Sequence, residues 1–427
     1  MYRIKEIERC LIKIGISFFL LNLEKEKEIM SFVEKYLNRF VRFSSFINEE
    51  CKKVDIIVVI PCYKEPALTS TLDSLLHCQR PKGIVEVIVV INEPENVTSE
   101  AHSQNIRTIE DIKIWEKQHP EAFFKIFAIC PKPFPKKHAG AGLARKTGMD
   151  EAVRRFGQAD NPDGIILSLD ADTYVAPNYF TETENLFYNN SDYVGTTISF
   201  HHRIKELEDE NQRQGIILYE KYLTYYRNAI EYTGYPNAMY TIGSAFAVKV
   251  YAYIKQGGMN NRQAGEDFYF LHKLAQFGPV AELNTTCVYP SARISDRVPF
   301  GTGFAMKKWQ SGDRDLLNTY CFHSFDDLKY FFSLIPEFYN TEIPNIEKMG
   351  VAKSICSFLE NEKFYESLKE IKKNSSTPSA FQKRFFRFFN AFRILKFLNY
   401  SHGTYYDFQS LEDAIKEEHI MSEKINS

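Results

Sequence analysis

Two aspartates separated by one alanine follow an apolar run in the middle of the chain. Asp170, Ala171 and Asp172 come directly after the residues IILSL, which have the composition of a buried strand. Neighbouring carboxylates that lose hydration repel each other, so a positive partner is expected beside them. Carboxylate oxygens are preferred ligands of Mg²⁺ and Mn²⁺, and phosphates commonly complete the coordination shell. The motif therefore predicts a site for a metal-bound diphosphate.

A structural role is an equally open interpretation of this motif. In that case Asp172 and Thr173 would cap a helix near Pro177, and Asp170 would be solvated. Haloacid-dehalogenase-type phosphatases also carry two such aspartates after a strand, but they have Thr or Val where this chain has Tyr174. Their motif also follows the first strand of the sheet, whereas here it follows the fourth, so that class is disfavoured.

Strand-like and helix-like segments alternate between residues 54 and 172. Four apolar runs predict buried strands, and the segments between them have the pattern of helices. The runs are VDIIVVIPCY, IVEVIVVI, FFKIFAIC and GIILSLDAD. Continuous apolar strands that alternate with helices predict an α/β fold with a mostly parallel sheet flanked by helices on both faces. Such sheets bind ligands at the carboxyl ends of their strands, where the two aspartates are expected.

The pattern changes on both sides of this region, which predicts three parts of the chain. Helical extensions are expected over residues 1–50 and 316–427, around a central α/β domain over residues 51–315. After residue 190 the alternation loosens, and two further strands are expected around a long helix near residues 206–230. A later helix carries Phe268, Leu271 and Leu274, which are expected to share its buried side.

Composition excludes several classes of protein. The 427 residues include 53 Lys and Arg against 55 Asp and Glu, so no overall basicity indicates nucleic acid as a partner. The eight cysteines form no CxxC pair, which predicts reduced thiols and neither a disulfide framework nor a zinc site. The apolar stretch LIKIGISFFLLNL is too short to span a bilayer, and no signal peptide is evident. A cytoplasmic protein is therefore expected.

Further motifs occur in a fixed order around the two aspartates. They are Pro61, Tyr63 and Glu65 after the first strand, the helix segment GAGLARKTG before the fourth, and Glu266 with Asp267 about a hundred residues later. In this order the chain resembles the family 2 glycosyltransferases of the GT-A fold, over roughly residues 54–310. The resemblance implies an inverting enzyme that moves a sugar from a nucleoside-diphosphate sugar donor to a glycan or lipid-linked acceptor.

The resemblance also implies a role for each motif. Asp172, assisted by Asp170, would hold Mn²⁺ or Mg²⁺. Asp267 would be the catalytic base, with Glu266 beside it at the acceptor or in the scaffold. Arg145 would approach a phosphate or the two aspartates, although a surface ion pair is the plainer explanation of this residue. The nucleotide-sugar site would further include Pro61, Tyr63, Glu65, Asn92, Glu93, Ala171, Arg293 and Arg297.

Parts of this site depart from the family pattern or have plainer explanations. Family members commonly end the second strand with two adjacent aspartates, whereas this chain has Asn92 and Glu93. An asparagine both donates and accepts hydrogen bonds, so uracil and guanine both stay open as the nucleotide base. Glu65 would equally cap a helix, and Arg293 and Arg297 would equally belong to a polar surface loop.

A basic aromatic segment extends from Phe381 to Tyr400, with five Lys or Arg and no acidic residue. Such a helix would suit peripheral contact with the inner face of a membrane, where a lipid-linked acceptor lies. Single-stranded nucleic acid is a further alternative, since aromatic rings stack on bases. We prefer the plainest interpretation, in which the helix packs against the catalytic domain.

Two other functions stay open from the sequence. A nucleotidyltransferase that makes sugar nucleotides would use a similar sheet and similar carboxylates. It would be expected to carry a glycine-rich loop after the first strand, where this chain has PCYKEP. A non-catalytic sugar- or membrane-binding protein would bind the same ligands and release no nucleotide.

Overall fold

The structure is a computed structural model that describes residues 32–41, 43–260, 262, 265–294, 301–342 and 344–426. The chain divides into two compact units. The first contains the described residues up to Phe200 together with Ile242–Phe270 and Phe277–Pro290, and the second contains the others. The three-part division predicted at residues 50 and 315 stays a prediction.

Within the described residues, the first unit is built on a sheet of eight strands. They are β1 Ile56–Cys62, β2 Val85–Ile91, β3 Phe124–Ile129, β4 Ile165–Ser168, β5 Tyr174–Val175, β6 Gly195–Phe200, β7 Phe246–Lys249 and β8 Val280–Tyr289. Their order across the sheet is β3-β2-β1-β4-β7-β6-β8-β5. Strands β1 to β4 pair in parallel, as do β6 and β8, whereas β7 is antiparallel to both its neighbours and β5 is antiparallel to β8. The predicted mostly parallel α/β sheet is therefore confirmed.

The helices of the described residues follow the predicted pattern between residues 54 and 172 and dominate the last third of the chain. They are α1 over residues 32–40, α2 Leu68–Leu76, α3 Ser99–Gln118, α4 Ala141–Gln158, α5 Tyr179–Asn189, α6 Glu210–Tyr232, α7 Val250–Lys255, α8 Glu266–Leu274, α9 Thr302–Gln310, α10 His323–Ser333, α11 Ile335–Asn340, α12 Lys353–Asn361, α13 Phe364–Lys373, α14 Pro378–Phe388, α15 Ala391–Ser401 and α16 Leu411–Asn426. The predicted helical extension over residues 1–50 was wrong for residues 43–50, which contain no helix, and its residues 1–31 lie outside the described residues. On α8 the predicted buried side was partly wrong, because Phe270 is buried with Leu271 and Leu274 while Phe268 is only half-buried.

Helix α4 packs closely on the sheet because its inner face carries small residues. Ala144 and Ala152 are fully buried. A Cβ atom at Gly148 would lie 2.5 Å from Val59 of β1 and 2.8 Å from Val90 of β2, so only glycine fits there without displacing the strands. This close packing brings the first turns of α4 to the carboxyl edge of the parallel strands.

Most aromatic residues in and next to α14 and α15 face the interior of the second unit. Phe385 and Phe389 are fully buried, and their ring centroids lie 5.9 and 5.5 Å from that of Phe331. The basic side chains of Lys383 and Arg384 are exposed. Most phenylalanines of the basic aromatic segment therefore form core of the second unit, although Phe392 is 39% exposed. Packing of this segment against the catalytic domain stays a prediction. No helix in the described part of the chain is long and apolar enough to cross a membrane.

Candidate functional site

The two aspartates of the central motif lie at the carboxyl edge of the sheet. They follow β4, which runs parallel to β1 and ends beside it. The side chain of Asp170 is 41% exposed, Ala171 is buried and Asp172 is half-buried. This is the edge at which parallel α/β sheets bind their ligands.

The structure contradicts the helix-cap interpretation of this motif. The next helix, α5, begins at Tyr179 with Asn178 at its N-cap, and no side chain caps it. The residues between Thr173 and Tyr179 contain β5, which pairs with β8. Asp172 and Thr173 are therefore placed by the end of the sheet and not by the start of a helix.

A buried arginine joins the aspartate motif to the Glu-Asp motif. Arg145 of α4 has a side chain that is only 2% exposed. Its Nη2 donates to Oδ1 of Asp170 at 2.6 Å, its Nη1 donates to Oε1 of Glu266, and its Nε donates to Oγ of Ser168 at 2.8 Å. Ser168 in turn donates to the carbonyl oxygen of Gly243 at 2.6 Å. One guanidinium thus fixes two carboxylates from segments about a hundred residues apart.

The charge of this arginine is secured by its partners. Burial alone would lower the pKa of Arg145, but the carboxylates of Asp170, Glu266 and Asp267 raise it. The arginine therefore stays protonated, and the chain itself supplies the positive partner expected beside Asp170.

Two glycines provide the space for this cluster. A Cβ atom at Gly243 would lie 2.7 Å from Nη2 of Arg145. A Cβ atom at Gly142 would lie 2.1 Å from the carbonyl oxygen of Arg262 and 3.1 Å from Cβ of Glu266. Neither glycine was predicted to belong to the site, although Gly142 lies in the GAGLARKTG motif.

The Glu-Asp pair begins α8 and has two different environments. Glu266 is buried, and burial raises its pKa although Arg145 opposes the shift. Asp267 is half-buried, and its Oδ1 accepts a hydrogen bond from the backbone N–H of Phe268 at 2.7 Å. Burial, and then the charge of Glu266, raises the pKa of Asp267 to about 7, against the opposing effect of Arg145. A carboxylate with a pKa near neutrality is well suited to accept a proton from a substrate.

A buried asparagine of α3 connects the ends of β1 and β2. Asn105 accepts from the backbone N–H of Lys64 at 2.9 Å, and donates to the carbonyl oxygen of Asn92 at 3.2 Å and to Oε1 of Glu93 at 3.1 Å. Glu93 also pairs with Nδ1 of His102 at 3.0 Å. Helix α3 therefore holds the two residues that replace the aspartates of the family pattern. Asn105 and His102 were missed because an isolated polar residue on a helix carries no sequence signal.

The first-strand motif lies next to this network and is partly structural. Pro61 is in β1 and Tyr63 follows the strand, both half-buried. Glu65 is 1% exposed, and its Oε1 accepts from the backbone N–H of Ala67 at 2.9 Å, just before α2. Glu65 thus faces inward and stabilises the turn into α2, as its plainer interpretation required.

The two remaining predicted residues are not placed by this geometry. Arg293 belongs to the second unit, and Arg297 lies outside the described residues. Their contact with the diphosphate stays a prediction.

The carboxylates at the sheet edge fit a cation whose other ligands come from a bound phosphate and from water. Within the described part of the chain, no three His, Cys, Asp or Glu side chains form a group that could hold a metal. Asp170 and Asp172 provide two carboxylates at the end of β4, and Mg²⁺ commonly takes one or two from the protein and the rest from phosphates and water. The residues therefore suit a cation bound together with a diphosphate.

The first testable prediction concerns Arg145. Its replacement in Arg145→Met leaves Glu266, with a side chain 6% exposed, as a buried carboxylate without its cation. We expect a loss of about 3–5 kcal/mol in the free energy of unfolding, measured by denaturant titration, because an isolated buried charge is costly. The double variant Arg145→Met, Glu266→Gln should recover part of that loss.

Arg155 provides a matched control on the same helix. Its side chain is also 2% exposed, and its Nε donates to Oε2 of buried Glu86 at 2.8 Å. Arg155→Met should destabilise the protein to a similar extent but leave turnover per folded molecule unchanged, whereas Arg145→Met should lower both. Equal turnover in the two variants would show that Arg145 serves stability alone.

One protein-family model matches the central part of the chain. Residues 57–257 match the family model described as Glycosyl transferase family 2. No curated protein sequence matches the chain significantly.

Solved structures of low similarity were also found. Residues 1–349 of TarS from S. aureus, in complex with UDP-GlcNAc, are 13% identical, with a TM-score of 0.40, and the match covers 77% of this chain and 89% of that one. The mannosyltransferase PcManGT from Pyrobaculum calidifontis, in complex with GDP-Man and Mn²⁺, is 13% identical, with a TM-score of 0.39, and the match covers 90% and 96%. At these TM-scores neither structure identifies the ligands of this chain.

Proposed function

We propose that the chain, whose residues 57–257 match the model of glycosyltransferase family 2, is a glycosyltransferase that acts by an inverting, metal-dependent transfer. The donor is a nucleoside-diphosphate sugar, and the acceptor is a hydroxyl group in glycan biosynthesis. The observation that carries this proposal is the buried cluster in which Arg145 holds both Asp170 and Glu266. This cluster fixes the metal motif relative to the base motif, which a single displacement requires.

The donor end of the site is the aspartate motif. Oδ1 of Asp170 is engaged by Arg145, so Asp170 contributes mainly through its second oxygen, and Asp172 is the chief proposed ligand of Mn²⁺ or Mg²⁺. When bound, the cation supplies positive charge for the departing diphosphate. Arg293 and Arg297 are proposed to add to that charge.

The acceptor end of the site is Asp267. Its carboxylate takes the proton from the acceptor hydroxyl as that oxygen forms a bond to the anomeric carbon, and the bond to the diphosphate breaks on the opposite side. The pKa of about 7 supports this role, because the group is then ionised at mildly alkaline pH and still basic. Glu266 does not compete for this role, since Arg145 engages its carboxylate.

The nucleotide base is proposed to contact the ends of β1 and β2. Pro61 and Tyr63 would pack against it, and Asn92 and Glu93 would offer hydrogen-bonding groups. Asn105 bonds to the backbone carbonyl of Asn92 and to the carboxylate of Glu93, which fixes this part of the chain. An amide and a carboxylate together fit either uracil or guanine by hydrogen bonding. Substitution of these residues is expected to change which nucleotide base is preferred, and to leave the preference for the sugar unchanged.

A panel of nucleotide sugars tests the proposed function. The purified chain, supplied with Mn²⁺ or Mg²⁺, is expected to release UDP or GDP from at least one UDP- or GDP-sugar. This product is expected because the proposed transfer breaks the bond between the anomeric carbon of the sugar and the diphosphate. Release of pyrophosphate from a nucleoside triphosphate and a sugar phosphate would instead indicate a nucleotidyltransferase. Binding without any release would indicate a non-catalytic sugar-binding protein.

Peripheral membrane contact of the C-terminal region is a secondary proposal, for an enzyme expected in the cytoplasm at the inner face of a membrane. The exposed Lys383 and Arg384 make any such contact electrostatic, since Phe385 and Phe389 are buried. Flotation with anionic vesicles should therefore show binding at low salt that is lost near 1 M salt, where the screening length falls to about 3 Å. The variant Lys383→Gln, Arg384→Gln is the control, and equal binding to neutral vesicles would contradict the proposal.

A further inference from the structure

A row of aromatic side chains lies on and beside α6 in the second unit. The rings of Tyr222 and Tyr226, one turn apart on α6, stack with centroids 6.3 Å apart and an interplanar angle of 26°. Tyr320 follows Tyr226 at 6.3 Å, and Phe408 follows Tyr320 at 6.0 Å. We call these four residues the aromatic row. The four rings follow one another without a gap, so the row is longer than a single sugar ring.

The aromatic row is partly accessible along its whole length. Tyr222, Tyr226 and Tyr320 are half-buried, and Phe408 is 60% exposed. The phenylalanines of the nearby core differ clearly, because Phe322 and Phe325 are 1% and 0% exposed. The row therefore presents part of its aromatic surface to solvent, while Tyr226 also packs edge-to-face on the core ring of Phe325, with centroids 6.5 Å apart.

The polar ends of the aromatic row have hydrogen-bonding capacity left. The hydroxyl of Tyr320 donates to Oδ1 of Asn399 at 2.8 Å. Among the described residues, no hydrogen bond engages the hydroxyl of Tyr222 or Tyr226. Burial, followed by the neighbouring tyrosines, raises the pKa of both, so they stay neutral. A half-buried neutral phenol is most stable when a ligand or water completes its hydrogen bonds.

The chemistry of the aromatic row selects one class of ligand. Its members carry no charge, so a phosphate or a carboxylate gains nothing from them. A sugar ring has an apolar face that packs on an aromatic ring and hydroxyl groups at its edge that bond to phenols. We propose that the aromatic row binds consecutive sugar rings of a glycan chain.

Glycan binding by the full chain, without donor, tests this inference. An array of defined oligosaccharides from bacterial, plant and animal sources is the probe, with single-stranded RNA and nucleotides as comparison ligands. The chain is expected to bind at least one oligosaccharide of several sugars more tightly than the corresponding monosaccharide. Absence of binding to every oligosaccharide, or preferential binding of RNA or nucleotides, would overturn the proposal.

Variants of the aromatic row locate the binding. The double variant Tyr222→Ala, Tyr226→Ala is expected to weaken the binding of the selected oligosaccharide by on the order of tenfold or more. Tyr222→Phe, Tyr226→Phe keeps the packing and removes two hydroxyls, so it should fold normally and bind several-fold more weakly. Unchanged binding in the Phe pair, or in a folded Ala pair, would overturn the assignment. Tyr188→Ala, at a tyrosine 84% exposed on α5, is the control.

Two measurements on the native protein, glycan binding and nucleotide release, separate this inference from the proposed function. If the native protein binds glycans but releases no nucleotide, the proposed function fails and the glycan site stands. If it releases nucleotide but binds no glycan, the proposed function stands and the glycan site fails.

Discussion

Asp267→Asn is expected to lower kcat by at least ~100-fold, the usual effect of losing a general base. The substitution keeps the shape of the side chain and removes its ability to accept a proton. Donor affinity should change little, because the proposed donor contacts are Asp170 and Asp172 at the end of β4. Steady-state transfer and calorimetric donor binding measure the two effects separately.

Asp327→Asn provides a matched control for this variant. Asp327 is a carboxylate of α10 whose pKa is also raised by burial, and it accepts a hydrogen bond from Ser354 at 3.3 Å. Nothing in the proposed mechanism uses it, so its variant should retain native kcat. Transfer at near-native rate by Asp267→Asn would show that Asp267 only begins a helix and that the base lies elsewhere.

The raised pKa of Asp267 makes opposite predictions for activity and stability. Activity needs the ionised carboxylate, so kcat/KM should be full above the pKa of about 7 and fall as the pH drops through it. The folded state favours the protonated form, so this group's contribution to stability declines as the pH rises from its ordinary pKa of 3.8 towards 7. Asp267→Asn should therefore raise the Tm at pH 8, a gain that a merely helix-stabilising carboxylate would not give.

Asp172→Asn is expected to abolish turnover, by about 1000-fold or more. The loss of metal charge at the diphosphate removes several kcal/mol of stabilisation, and about 1.36 kcal/mol corresponds to tenfold in rate. The fold should be retained, because Asp172 is half-buried and contributes charge more than packing. Rates with Mn²⁺ and with Mg²⁺, and melting curves of the variant, measure these effects.

A chelator should reproduce the Asp172→Asn effect in the native protein, and added Mn²⁺ or Mg²⁺ should reverse it. Asp163→Asn is the matched control, because Asp163 is an exposed aspartate in the turn before β4. Full activity of the native protein in excess chelator would contradict metal dependence. Loss of activity in Asp163→Asn as well would indicate an effect on the strand and not on a metal site.

The sequence predicted the structure best where a pattern of apolar residues is compatible with only one kind of secondary structure. The apolar runs that became β1, β2, β3 and β4 are too short for buried helices and too continuous for surface strands, so a parallel sheet was predictable. Strand β8 was missed because it carries polar residues such as Asn284 and Thr285 in its middle, and its pairing with β6 shifts register after Ile198. Strand β5 has only two residues, which leave no pattern to detect.

The contacts of the candidate site were less predictable than its residues. The motifs indicated Arg145, Asp170 and Glu266 separately, but nothing local shows that one guanidinium would bind both carboxylates across 25 and 121 positions of sequence. The basic aromatic segment was ambiguous for a related reason. The same phenylalanine spacing serves a membrane surface or a protein core, and only the tertiary partner, here Phe331, decides between them.

The anomeric configuration of the product tests the central claim most directly. With the donor that the panel identifies and a glycan acceptor, proton NMR during the first turnovers reports whether the new linkage has the configuration opposite to that of the donor. A single displacement with Asp267 as base predicts the inverted product alone. A product that retains the donor configuration would contradict the mechanism and the role of Asp267 in it.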